Sequence, residues 1–251
     1  MSSAVHLLAA ATDGTSNAFQ QVLDASIPIG SYSLHYVEVV GVLIGIVSAW
    51  YGMRRKVWAW PVGILANVLL FFVYIGATLG ADQRIPLFGQ AGRQVFFIVV
   101  SIYGWVTWAA YRRRHGGGSA PAVRPRWMSG RERALVAAGW LLGTVVVHWA
   151  FQVLSAWPAQ WWFYWADAWI FVGSVAATYA MARGWNEFWL AWIGVDLVGV
   201  PLGFATGYVP TSVMYIFYGL FVVYGFTRWV EVTRAETAAH TERAARTAPV
   251  P

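Results

Sequence analysis

One carboxylate stands deep in an apolar run. Asp196 lies a third to a half of the way along Trp192-Ile193-Gly194-Val195-Asp196-Leu197-Val198-Gly199-Val200-Pro201 and its flanks. In lipid a charge at that depth costs on the order of 3 kcal/mol, so the side chain must face other protein and find a partner. Two roles are open to it: a ligand contact, or a protonated hydrogen bond between packed helices. Trp189 and Trp192, three apart, lie on one helix face. Their indoles suit an aromatic, largely uncharged ligand. Pro201 removes a backbone donor and Gly194, Gly199 and Gly203 flank it, so this helix can bend and expose carbonyls to a cavity. Asn67, Gln94, Ser101, Tyr215 and Tyr218 could supply further ligand hydrogen bonds, and each serves equally well as a helix–helix contact. Glu38 and Asp167, near helix starts, default to capping or loop pairing.

The elements that position these groups follow from composition. Of the 251 residues 59% are hydrophobic, 17% aromatic and only 11% charged, and Trp occurs 17 times. A soluble domain carries about 25% charged residues, so this chain cannot cover its outside with charge, and its solvent is lipid. Runs of about 20 apolar residues, the length that crosses a bilayer, occur seven times: 36–53, 57–79, 88–111, 134–154, 165–181, 188–206 and 212–230. They are apolar on every side, which argues against barrel strands. The expected fold class is an all-α membrane protein of seven transmembrane helices.

Basic residues set the orientation, because Lys and Arg near helix ends stay on the cytoplasmic side. All 17 except Arg84 and Arg93 fall on one side, which predicts N-terminus out, C-terminus in. The net charge of +6 is accounted for by this sorting and by anionic inner-leaflet lipid, so no nucleic-acid partner is expected. The expected organisation is an extracellular lead over 1–34 and a first three-helix repeat over 35–111. A flexible cytoplasmic linker over 112–133 follows, glycine-rich at its centre, then a linking helix with an outer loop over 134–164. A second repeat over 165–230 leads to a disordered cytoplasmic tail over 231–251. Met1 to Gln21 lacks a basic n-region and fails as a signal peptide. Trp157, Trp161 and Trp162 read as interfacial anchors.

The repeat rests on Tyr103-Gly104-Trp105-Val106-Thr107-Trp108 and Tyr224-Gly225-Phe226-Thr227-Arg228-Trp229, each near the end of its unit. Glu38 and Asp167 open the two units, and paired tryptophans, Trp58/Trp60 and Trp189/Trp192, follow an arginine in each. Aromatic belts arising twice by composition would give similar elements. Shared order, direction and acidic start favour parallel repeats, a plan on which many transporters hold substrate near mid-membrane.

Counting excludes several enzymes. Lys56 is the only lysine and lies in a loop, so no last-helix Schiff base can form. There is no Cys, and His148 is the only histidine within a span, so no haem pair or zinc site can be assembled. No phosphate loop is present. An Asp167/Asp196 proteolytic dyad is disfavoured by the different depths of the two residues. No cofactor and no enzymatic activity are expected, and nothing specifies a homo-oligomer, common as these are in lipid.

The residues also carry a resemblance. Arg55, Trp58-Ala59-Trp60-Pro61-Val62-Gly63, Gln94 and Ile102 to Trp108, with Trp165-Ala166-Asp167, Glu187 to Trp192, Gly225 and Trp229, resemble the PnuC family of vitamin transporters. The resemblance covers nearly the whole chain outside the tails and linker. It implies a 3+1+3 arrangement of helices like a full-length SWEET fold, in the inner (plasma) membrane. It further implies facilitated diffusion of a B-vitamin or vitamin nucleoside that is trapped in the cytosol by phosphorylation. Nicotinamide riboside carriers tend to have Asn at the place of Asp196 and around Ala66. The blocks Trp165 to Gly173 and Val195 to Leu202 look closer to the actinobacterial riboflavin branch (PnuX/RibM-like), which favours riboflavin over nicotinamide riboside. A membrane-embedded binding subunit served by a separate ATPase is the reading from another class.

Overall fold

The computed structural model describes residues 21, 25–29, 32–79, 88–116, 121–154, 161–205 and 209–247. Most of the expected lead, Arg84, Trp157 and the glycines at 117–118 lie outside them. A two-stranded antiparallel hairpin, β1 (Ser26–Ile29) and β2 (Tyr32–His35), pairs Ser26 with His35 and runs directly into the first long helix. The seven long helices are α1 (Tyr36–Met53), α2 (Ala59–Leu79), α3 (Phe88–Arg114), α4 (Gly130–Leu154), α5 (Trp161–Ala182), α6 (Glu187–Ala205) and α7 (Val209–Thr247). Among the described residues α1, α4, α6 and the Gly92–Arg114 part of α3 are long and apolar enough, by length and composition, to cross a membrane.

Several boundaries differ from the sequence reading by a few residues. α4 begins at Gly130, four residues before the apolar run, because Ser129 and Glu132 form a capping box: Glu132 N–H donates to Ser129 Oγ (3.3 Å) and Ser129 N–H to Glu132 Oε2 (2.8 Å). α7 continues through the expected disordered tail to Thr247. That stretch is rich in alanine, and the Thr233, Thr237 and Thr241 hydroxyls bond back to the carbonyls four residues earlier. The hairpin, finally, occupies the end of the expected lead over 1–34.

The linker also departs from expectation. Residues 121–129 form an ordered strap with Ala122, Val123 and Met128 buried. Ala122 N–H donates to Arg55 O (2.9 Å), Arg126 N–H to Gly184 O (3.0 Å), and Asn186 N–H returns to Arg126 O (2.9 Å). Arg55 and Gly184 are the two left-handed positions (φ 56° and 70°) that end α1 and α5. The turns match: Lys56 N–H reaches Tyr51 O (2.9 Å), and Trp185 N–H reaches Ala180 O (3.0 Å), a Schellman closure in each.

α1, α2 and α3 pack in sequence, as do α5, α6 and α7, while α4 lies along α5. The two groups join where α3 lies against α5, and α1 barely touches α7. The densest core sits at the end carrying the turns. There Trp60 fills the space above Gly104 and meets Trp108 edge-on (5.1 Å, 88°). Trp189 fills the space above Gly225 and meets Trp229 edge-on (6.2 Å, 77°). Glu38/Asp167, Met53/Ala182, Arg55/Gly184, Trp60/Trp189 and Asn67/Asp196 share one offset in numbering, and Gly104/Gly225 and Trp108/Trp229 share another.

Candidate functional site

Trp189, Trp192 and Asp196 follow one another at intervals of three and four along α6, so they form a stripe on one face. The stripe looks toward α7 and α3. Trp189 is buried (3% exposed), with its ring beside Phe188, Phe221 and Trp229, and its indole N–H has no partner. Half-buried Trp192, one turn on, lies 6.3 Å from the ring of Phe97 on α3. Asp196 is half-buried with its Oδ2 enclosed and unpartnered, and Gly219 of α7 leaves the room beside it.

α3 presents a matching stripe. Gln94 (2% exposed) and Ser101 (5%) are buried on either side of Phe97, and the Gln94 Oε1 also lacks a partner. The two stripes touch through the Phe97 and Trp192 rings, and each helix carries an orphaned acceptor about one turn away, Gln94 Oε1 on α3 and Asp196 Oδ2 on α6. A buried oxygen without a hydrogen bond costs about 1–3 kcal/mol, so each of these atoms calls for a partner.

The remaining sequence candidates are placed differently. Tyr215 of α7 packs its ring against Gly199 of α6, one turn beyond Asp196. Tyr218 donates its hydroxyl to Val42 O of α1 (3.2 Å), a direct helix–helix tie. Asn67 is half-buried on α2 at the position corresponding to Asp196.

Sequence reasoning did not single out several groups around the site. Phe97, apolar among apolar residues, gives no signal of its own. Trp169 of α5 donates its indole N–H to Gly194 O (2.9 Å) and Trp140 of α4 donates to Trp169 O (3.2 Å), so two indoles in series fix α6 just before Asp196. Half-buried Asp167 has Arg93 of α3 as its charged neighbour, across the contact between the two helix groups. That Arg93 falls outside the basic clusters was legible, but its acidic partner was not. His148 of α4 stacks on Trp165 (3.7 Å). Among the described residues no three His, Cys, Asp or Glu side chains gather to hold a metal.

Long apolar helices, with polar atoms buried between two helix groups and most charge at the helix ends, define a multi-pass membrane protein. The chain belongs to the family described as "Nicotinamide mononucleotide transporter", which matches residues 35–231 and is the PnuC family expected from the sequence. It is similar to the riboflavin/roseoflavin transporter RibM of Streptomyces davaonensis, 38% identical over 192 residues, covering 76% of this chain and 83% of that one. It is also similar to the nicotinamide riboside transporter PnuC of Escherichia coli, 25% identical over 238 residues, covering 83% and 91%. The fold matches the crystal structure of the vitamin B3 transporter PnuC with a TM-score of 0.62 at 22% identity, over 80% of this chain and 83% of that one. Members of this group are membrane transporters, not enzymes.

Proposed function

We propose that the protein takes up riboflavin by facilitated diffusion, with the vitamin held between the α3 and α6 stripes and trapped in the cytosol by phosphorylation. The observation that carries this reading is the pair of orphaned acceptors, Gln94 Oε1 on α3 and Asp196 Oδ2 on α6, each about one turn along its helix from the contact between the Phe97 and Trp192 rings. Flat rings suit an isoalloxazine, and acceptors suit its imide N–H or the ribityl hydroxyls. Similarity to the riboflavin/roseoflavin transporter supports the choice of vitamin. Nicotinamide riboside, the cargo named for the Escherichia coli relative, is the second reading.

The repeated Trp–Gly–Trp contacts and matched turns support two parallel three-helix units around α4, in a 3+1+3 plan. The arginine clusters support an orientation with that end in the cytosol and the protein in the inner (plasma) membrane. Transport then proceeds by rocking one unit against the other around the bound vitamin. Competitive uptake of labelled riboflavin against unlabelled riboflavin, nicotinamide riboside and thiamine tests the assignment in cells expressing this chain alone. Riboflavin should compete best, and Trp192→Ala should lose most of the uptake. Wild-type rate and affinity in Trp192→Ala would place the site elsewhere. Failure of the chain alone to rescue a riboflavin auxotroph would favour a subunit that needs a separate ATPase.

A further inference from the structure

We infer that the strap between α3 and α4, together with the tail half of α7, is a clamp that closes the arginine-rich end of the molecule, and that its release opens the transport route on that side. The inference rests on the two-unit reading above. The strap pairs by backbone with the turn ending α1 at Ala122 and with the turn ending α5 at Arg126, so one short segment ties both units. Four residues extended span at most about 14 Å, so the turns cannot separate far while both attachments hold. Buried Ala122, Val123 and Met128 seat the strap on the tryptophan core, and both Glu187 carboxylate oxygens accept from Met128 N–H (3.0 and 3.1 Å).

The tail of α7 completes the clamp. Glu236 Oε1 accepts from Arg55 Nη1 (2.9 Å), and its Oε2 lies 3.3 Å from Arg124 Nε. A carboxylate from the last helix thus bridges the first unit's turn and the strap. Arg55 keeps only 18% of its side chain exposed, which shields its bond from water better than the Arg124 contact at 51%. Asn186, fully buried in the second turn, bonds the Thr233 hydroxyl one turn before Glu236 (2.9 Å). Farther from that end the groups pack along α3 and α5 and through Tyr218, which donates to Val42 O. Opening toward the arginine-rich end therefore requires the strap and the Glu236 bridge to loosen.

The chain contains no cysteine, so a single introduced thiol reports accessibility without background. Ala180→Cys, at a site 1% exposed beside the clamp, is the reporter, and Ala168→Cys, 0% exposed farther along α5, is the control. Each is labelled with a membrane-impermeant maleimide in inside-out vesicles, with and without Glu236→Gln. Loss of the bridging charge should raise labelling at position 180 by about three- to tenfold and leave position 168 unchanged. Reversal of all three charges, Glu236→Arg with Arg55→Glu and Arg124→Glu, should bring the rate back toward that of the reporter alone. An unchanged rate at 180, a parallel rise at 168, or no recovery on charge reversal would each overturn the clamp. Labelling needs no vitamin, so an error in the substrate assignment leaves this result intact, and the reverse also holds.

Discussion

The rings of Trp108 and Trp229 lie 6.4 Å apart with planes tilted by 34°, and each donates its indole N–H into the end of a helix in the opposite group. Trp108 bonds Ala182 O, the last residue of α5 (3.1 Å), and Trp229 bonds Met53 O, the last residue of α1 (3.0 Å). Carbonyls in a helix's last turn have no partner within the helix, so each group caps the other.

Replacing either donor should therefore weaken the join between groups while keeping an aromatic ring in place. Trp108→Phe or Trp229→Phe should each cost about 1–2 kcal/mol, from the lost buried hydrogen bond and some packing. Thermal unfolding in detergent micelles reads the change. Because the two indoles touch, the double variant should depart from additivity.

The glycines beneath the tryptophans should tolerate no methyl. Gly104→Ala and Gly225→Ala would drive Cβ into the rings of Trp60 and Trp189, costing about 1–3 kcal/mol each by overpacking. Gly92→Ala, with nothing within 4 Å, should be neutral or slightly stabilising. Equal melting temperatures for all three would refute the packing account.

The acceptor pair predicts a change in affinity. Gln94→Leu keeps much of the volume but removes Oε1, and Asp196→Leu removes Oδ2. Loss of one ligand hydrogen bond from a buried acceptor should raise the apparent KM for riboflavin about tenfold in either variant, with surface expression unchanged. Uptake at graded vitamin concentrations separates this from a loss of maximal rate.

Acid should loosen the start of α4. Arg126 and the Ser129 backbone hold the Glu132 carboxyl down at about 2, below its ordinary 4.5. A group whose folded value is depressed stabilises the fold above its ordinary value and loses that contribution as pH falls toward the folded one. The hydrogen-exchange protection factor of the Ser129 amide, which donates to Glu132, should accordingly fall between about pH 4.5 and 2, and Glu132→Gln should show the lower protection already at pH 7.

Helix spans were legible because apolar length alone sets them, and the starts of α1 and α3 coincide with the sequence reading. Charge misled at the boundaries of the arginine-rich end. Arg131, Glu132 and Arg133 mark the end of an apolar run, but a helix ends only where its capping ends, and Ser129 supplies that cap. Polarity reads the tail as disordered, whereas its alanine content favours helix and α7 runs on to Thr247. Trp189, Trp192 and Asp196 were readable from spacing on a single helix. Their counterpart stripe was only half readable, since Gln94 and Ser101 are polar enough to notice and Phe97 is not. The exchange between Trp108 and Ala182 links residues far apart in the chain and leaves no local pattern.

The length of α7 has a mechanical consequence. Thirty-nine residues of unbroken helix extend about 58 Å, far more than a bilayer core requires. On the rocking motion proposed above, the portion past Trp229 is a rigid lever, and a swing of about 10° of its unit would displace the tip by several ångströms at the arginine-rich end.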